Sequence, residues 1–120
     1  MADERFEDHL TYPRARGHRP AGACAGSAGG ALCGDLITIW LRVDGAHVVE
    51  AGFDAEGCGA IIAAGSAVVE LLDGAPVLGA ARIGTREVSA ELGGLSTGKL
   101  HAADLAADAM HRALGAAVRA

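Results

Sequence analysis

Between Leu36 and Val43 apolar and polar positions alternate, with Ile37, Ile39, Leu41 and Val43 on one face and Thr38, Trp40 and Arg42 on the other. A period of two marks a half-buried strand. Asp44-Gly45 follows, a hairpin signal, and a second strand is expected to return from His47 to Phe53, with Val49, Ala51 and Phe53 on its apolar face. Two strands alone are marginal, so a third strand or packed helices must complete the sheet. From Cys58 the period lengthens to that of a helix, with Ile61, Ala64, Val68 and Leu71 as a stripe closed by Asp73-Gly74. Shorter helices or turns are expected over 76–82 and 85–92. Gly93-Gly94 then breaks the chain, and a last helix starts near Ser96 or Thr97. Its stripe is Leu100, Ala103, Ala107, Met110, Leu114 and Val118, while Asp104, Asp108, Arg112 and Arg119 face water. At the other end, residues 3–17 read as a short helix, with Phe6 and Leu10 on one face, followed by a turn at Pro13. The segment 20–34, PAGACAGSAGGALCG, is dense in Gly, Ala and Ser and is expected to be a mobile loop, with 20–32 as its flexible part.

Composition narrows the field. The 120 residues suit one domain spanning 1–120. Hydrophobic residues make up 51% but aromatics only 3%, so the core must be aliphatic and there are no platforms for stacking bases. With a net charge of −5 and no run of Lys or Arg, neither nucleic acid nor an anionic membrane is a fitting partner. No apolar stretch reaches the length of about 18 residues that a membrane span needs. The N-terminus, MADERFEDHL, lacks the apolar run of a signal peptide, so a cytoplasmic location is expected. Three cysteines in such a chain point away from a disulfide framework and towards ligand or catalytic use.

Two of these cysteines sit at junctions. Cys33-Gly34-Asp35 opens the first strand of the hairpin, and Glu56-Gly57-Cys58-Gly59 joins the second strand to the helix. The start of one hairpin strand lies beside the end of the next, so Cys33 and Cys58 are expected to meet at one end of the sheet. A helix start at Cys58 turns its positive dipole end towards that thiol. Spacing alone leaves open the plainer reading, in which each cysteine is a small buried hydrophobe. Neither CxxC nor HExxH is present.

Four segments resemble those of the U-type iron–sulfur cluster scaffold family, which includes IscU, SufU and the N-terminal domain of NifU. His9-Leu10-Thr11-Tyr12-Pro13-Arg14 with Gly17 is similar to the family's N-terminal His-x-x-x-Pro-Arg-x-x-Gly segment. Cys33-Gly34-Asp35 resembles the first cysteine motif, and Gly57-Cys58-Gly59 the second. Lys99-Leu100-His101, followed by Leu105-Ala106-Ala107-Asp108-Ala109, resembles the third. The resemblance implies an α+β fold: a small antiparallel sheet of about three strands, packed by helices, with the site at one end. It implies an iron–sulfur cluster assembly scaffold or carrier, not an enzyme. Its cargo would be a labile [2Fe-2S] cluster, or its ligand a zinc ion. Its partners would be a cysteine desulfurase and recipient apo iron–sulfur proteins. It places the metal ligands at Cys33, Asp35, Cys58 and His101.

The chain departs from the family pattern at Ala102, where the family has its third cysteine, and in Leu95-Ser96-Thr97-Gly98-Lys99, which lacks the prolines of the IscU chaperone-binding segment. The first departure keeps a second reading in view: a zinc-binding paralogue that accepts sulfur or regulates a desulfurase without building clusters. The remaining set of two thiols, one carboxylate and one imidazole still supplies four ligands. Asp35 can instead support a turn, and His101 can be a first-turn surface histidine. Cys24, in the glycine-rich segment, is either incidental or swings in for the missing cysteine. His9 and the Pro13-Arg14 turn are expected to shape the N-terminal segment, while His18, His47 and His111 face solvent.

Overall fold

The computed structural model describes residues 4–30 and 34–119, so Cys33 lies outside the described residues. In chain order come helix α1 (Glu4–Thr11), strands β1 (Cys24–Gly30), β2 (Asp35–Asp44) and β3 (His47–Glu56), and helices α2 (Gly59–Leu72), α3 (Val77–Ala80), α4 (Thr85–Glu91) and α5 (Leu100–Arg119). A single 3-10 turn over Thr97–Lys99 leads into α5. The strands form one antiparallel sheet in the order β1-β2-β3, and the α+β architecture is the expected one.

Strand β2 follows its alternation closely. Ile37, Ile39 and Leu41 are fully buried, and their β-branched or bulky side chains suit the pleated surface. The hairpin loop is Gly45-Ala46, because Asp44 already pairs with His47. Positive φ at Gly45 alone, +62°, is the type II′ pattern. Strand β3 corrects one expectation. Arg42 pairs with Glu50 but Val43 pairs with Val48, so Val49 is the extra residue of a β-bulge. The bulge turns Val48 into the core and leaves Val49 exposed, whereas strict alternation had Val49 inside.

The larger correction concerns the expected flexible loop. Residues 24–30 form strand β1, the third strand of the sheet. Helix α5 crosses directly over it. A Cβ on Gly26 would collide with the backbone of Ala109 and Ala113, and α5 presents Ala106, Ala109 and Ala113, all fully buried, on that side. Gly and Ala are small here because a helix backbone rests on a strand backbone, and this close approach outweighs their weak strand preference.

Helix α2 is buried on nearly every side, from Ala60 and Ile61 to Val69 and Leu72, which fits a helix packed between the sheet, α1, α4 and α5. The outer edge of β3 is covered by backbone. Gly17 N–H donates to the Phe53 carbonyl at 2.7 Å, and Val48 N–H to the Ala75 carbonyl at 2.8 Å. Among the described residues, no helix is long and apolar enough to cross a membrane.

Candidate metal centre

Asp35 is the first residue of β2, and Leu36 pairs with Glu56, so Asp35 faces the turn from β3 into α2. Cys58 is the N-cap of α2, with extended backbone (φ −72°, ψ 166°) and no capping bond from its own side chain. Asp35 instead holds the N-cap residue itself. Its Oδ1 takes the Cys58 N–H at 2.9 Å, and its Oδ2 lies 3.7 Å from Cys58 Sγ, in reach of the thiol proton. Gly57 makes this approach possible. At φ +136° it holds a conformation that side chains disfavour, and a Cβ there would press on the Asp35 carboxyl and on the Gly34 carbonyl oxygen, 2.9 Å away.

Beside this pair lies a cavity of about 380 Å³, lined by Asp35, Cys58, Phe6 of α1, Lys99, and His101 and Ala102 at the start of α5. Three of the four sequence-predicted ligands therefore border one space, and the fourth, Cys33, falls outside the described residues. His101 is exposed at the mouth, and Ala102, at 3% exposure, lines the interior. Lys99 Nζ sits 4.6 Å from the centre of the Phe6 ring, so the ammonium is held over the aromatic face. Among the described residues, no three His, Cys, Asp or Glu side chains stand close enough together to hold a metal ion. Asp35 and Cys58 bring one oxygen and one sulfur together, His101 borders the same space without closing on them, and a metal there would need a further donor. This donor chemistry suits a soft or borderline metal.

Cys24 does not supply that donor. It begins β1 paired with Leu41, whereas the site end of β1 is Gly30 paired with Asp35. Six residues of strand put roughly 20 Å between them, so the idea of Cys24 swinging in from a loop is corrected by the strand that holds it. His18, His47 and His111 are exposed, as expected.

The role of His9 was only partly legible. It is 1% exposed, with Nδ1 2.6 Å from Ser66 Oγ and Nε2 3.0 Å from Glu91 Oε2. Ser66, also buried, accepts the Arg14 N–H at 2.9 Å. The Pro-Arg turn and the histidine are thus fixed to the same serine. Ser66 could not be singled out from a run of small residues in a helix.

Comparison with known proteins places the chain. The model of the NifU-like N-terminal domain family matches residues 2–118. The chain belongs to that family. Among its relatives, the bifunctional protein NifU/MnmA of Rubrobacter xylanophilus is 45% identical over 111 residues. That match takes in 91% of this chain but only 23% of the bifunctional protein, so the chain spans about a quarter of that relative's length. The iron–sulfur cluster assembly scaffold protein IscU 1 of Archaeoglobus fulgidus is 35% identical over 114 residues, 95% of this chain and 74% of that protein. Among solved structures, the N-terminal part of a NifU-like protein from Brucella abortus superposes with a TM-score of 0.72 at 16% identity, covering 98% of this chain and 94% of that one. This last likeness is one of fold. In this chain the turn before α2 and the start of α5 both border one cavity.

Proposed function

We propose that this chain is a scaffold for iron–sulfur cluster assembly. It builds a labile [2Fe-2S] cluster with sulfur from a cysteine desulfurase and passes it to apo iron–sulfur proteins in the cytoplasm. Cys58, Asp35 and His101, joined by Cys33, are the ligands in this reading, and zinc occupies the same donors when no cluster is present. The observation that carries it is the Asp35–Cys58 pair at the edge of a cavity that His101 also borders, in a chain whose relatives include proteins named as scaffolds. Gly34, the neighbour of Cys33 in sequence, already lies against Gly57, the neighbour of Cys58. The role is one of holding and release. Asp35 has one oxygen committed to the Cys58 N–H and only the other directed at the thiol, so it is a weak hard-oxygen ligand for iron. A cluster so held leaves readily, which suits a donor. With Ala102 in place of a third thiol, the site depends all the more on the two junction cysteines.

Anaerobic reconstitution with a cysteine desulfurase, cysteine, ferrous iron and a thiol reductant that turns the desulfurase's persulfide sulfur into sulfide tests this, read by visible absorption and by iron and sulfide analysis. The expected product holds iron and sulfide in equal amounts, loses them to chelator, and activates an apo iron–sulfur protein. Ala102→Cys, carried in parallel, should raise cluster yield and lifetime. A protein that takes up zinc but never sulfide, in either form, is a zinc-binding paralogue, and the scaffold reading falls.

A further inference from the structure

We infer that His9 is a positioning residue for the metal pocket, acting at a distance through helix α1 and Phe6. The inference rests on the metal-binding reading of the cavity. His9 joins three elements: α1 by its own backbone, α2 through Ser66, and α4 through Glu91. One proton arrangement satisfies every partner. His9 Nε2–H donates to Glu91, the Ser66 hydroxyl donates to His9 Nδ1, and the Ser66 oxygen accepts the Arg14 N–H. Both His9 and Ser66 are shut off from water, so loss of either partner leaves a buried polar group unpaired.

This node does not border the cavity. Ser66 lies eight residues into the helix from Cys58, roughly 12 Å along its axis. What links them is α1. Phe6, three residues before His9 and on the same face, lines the cavity, and Leu10, the residue after His9, lies against the first turn of α2 at Gly59. Phe6 also carries the Lys99 ammonium on its ring, and Lys99 lines the same cavity. A helix of eight residues has little stability of its own, so its placement depends on what fastens it. The His9 node fastens α1, α1 sets Phe6, and Phe6 with Lys99 forms part of the lining of the cavity that Cys58 borders.

The test is a double-mutant cycle in the full chain with His9→Ala, Phe6→Ala and both together. Three quantities are followed: zinc loss to a chelator, peptide-resolved alkylation of Cys58 by iodoacetamide in zinc-free protein, and Tm. His9→Ala should speed zinc loss severalfold, less than the roughly tenfold seen when a direct outer partner of a ligand is removed, and should speed Cys58 alkylation. The double variant should lose zinc no faster than Phe6→Ala alone, since both changes act on one wall. Additive effects, or a lowered Tm with both rates unchanged, overturn the inference and leave His9 as a fold-stabilising residue. If His9→Ala does not fold, Glu91→Ala removes the acceptor of His9 Nε2–H at the half-buried end of the node and must shift both rates in the same direction, and unchanged rates there overturn it equally. Cys58→Ser serves as the control. A wild-type chain that binds no zinc defeats the metal reading itself, whereas zinc bound normally and released at an unchanged rate in His9→Ala defeats only the role of His9.

Discussion

The two ends of the sheet carry similar groups and put them to different use. The hairpin end has Cys24 on β1, Gly45 in its loop, and His18 and Glu50 nearby. The other end has Cys58, Gly57, Asp35 and His101. At the hairpin end the charges meet partners: His18 lies 2.5 Å from Glu50, and Arg42 3.5 Å from the same carboxylate. At the other end, Asp35 forms no ion pair among the described residues and spends its oxygens on Cys58, while a cavity opens beside it. Residue type alone does not mark a site. What sets Asp35 apart is that its carboxylate is turned onto the Cys58 N–H and thiol at a helix start, with an open cavity beside them.

The sharpest way to break this comparison is to exchange the two cysteines for serine one at a time. Cys58→Ser removes a proposed ligand and should weaken zinc binding by more than the roughly 100-fold that loss of an outer partner can cost. Cys24→Ser, some 20 Å away by strand length, should leave zinc affinity unchanged. Competition against a chromophoric chelator measures both. Loss of zinc in Cys24→Ser would mean that β1 does not stay in the sheet.

A smaller effect is expected from the two glycines. Gly57→Ala forces a side chain into φ +136° and onto the Asp35 carboxyl, at a cost of about 1–3 kcal/mol. It should also lower zinc affinity about tenfold by moving Asp35 off the Cys58 N–H. Gly45→Ala meets nothing within 4 Å and bears only the strain of φ +62°, about 1 kcal/mol. Denaturant melts and zinc titrations of both variants separate the outcomes. Equal losses of zinc affinity would deny Asp35 any special place.

The same contrast explains what was legible in the sequence. The juxtaposition of Asp35 and Cys58 was legible because both sit at junctions: a strand begins at Asp35 and a helix at Gly59, and hairpin geometry brings the two together. The aliphatic alternation of β2 held because burial alone dictates it, whereas the stripe expected after Cys58 widened into a helix buried on nearly every side, with Leu72 fully inside and Leu71 only partly so. What failed depended on contacts distant in sequence. The Gly- and Ala-rich segment 24–30 resembles a loop unless α5, some 80 residues later, is known to lie on it. The bulge at Val49 leaves no trace in the alternation, since Val48 and Val49 are equally apolar. The His9 node joins residues 57 and 82 positions apart, through a serine that nothing distinguishes locally.

The smallest effect belongs to the hairpin end and concerns pH. The hydrogen bond from His18, with help from its charge and from Arg42, holds the Glu50 carboxyl below its ordinary value of 4.5. A carboxyl depressed on folding stabilises the folded state once pH is above its unfolded value, and that contribution is lost as pH falls through the lower folded value. The wild-type chain should therefore melt slightly higher than Glu50→Gln near neutral pH, and the gap should close as pH drops well below 4.5. Glu50 is exposed to solvent, so salt should shrink the gap as well. Zinc binding should not respond to this change, because the charge pairs off at the end of the sheet remote from Cys58. Melting curves in low and high salt across the acidic range measure the first effect, and a zinc titration of Glu50→Gln measures the second. A gap that widens as pH falls would reverse the sign assigned to the His18–Glu50 pair. A change in zinc affinity would show that the two ends of the sheet are coupled, and the division of labour between them would not stand.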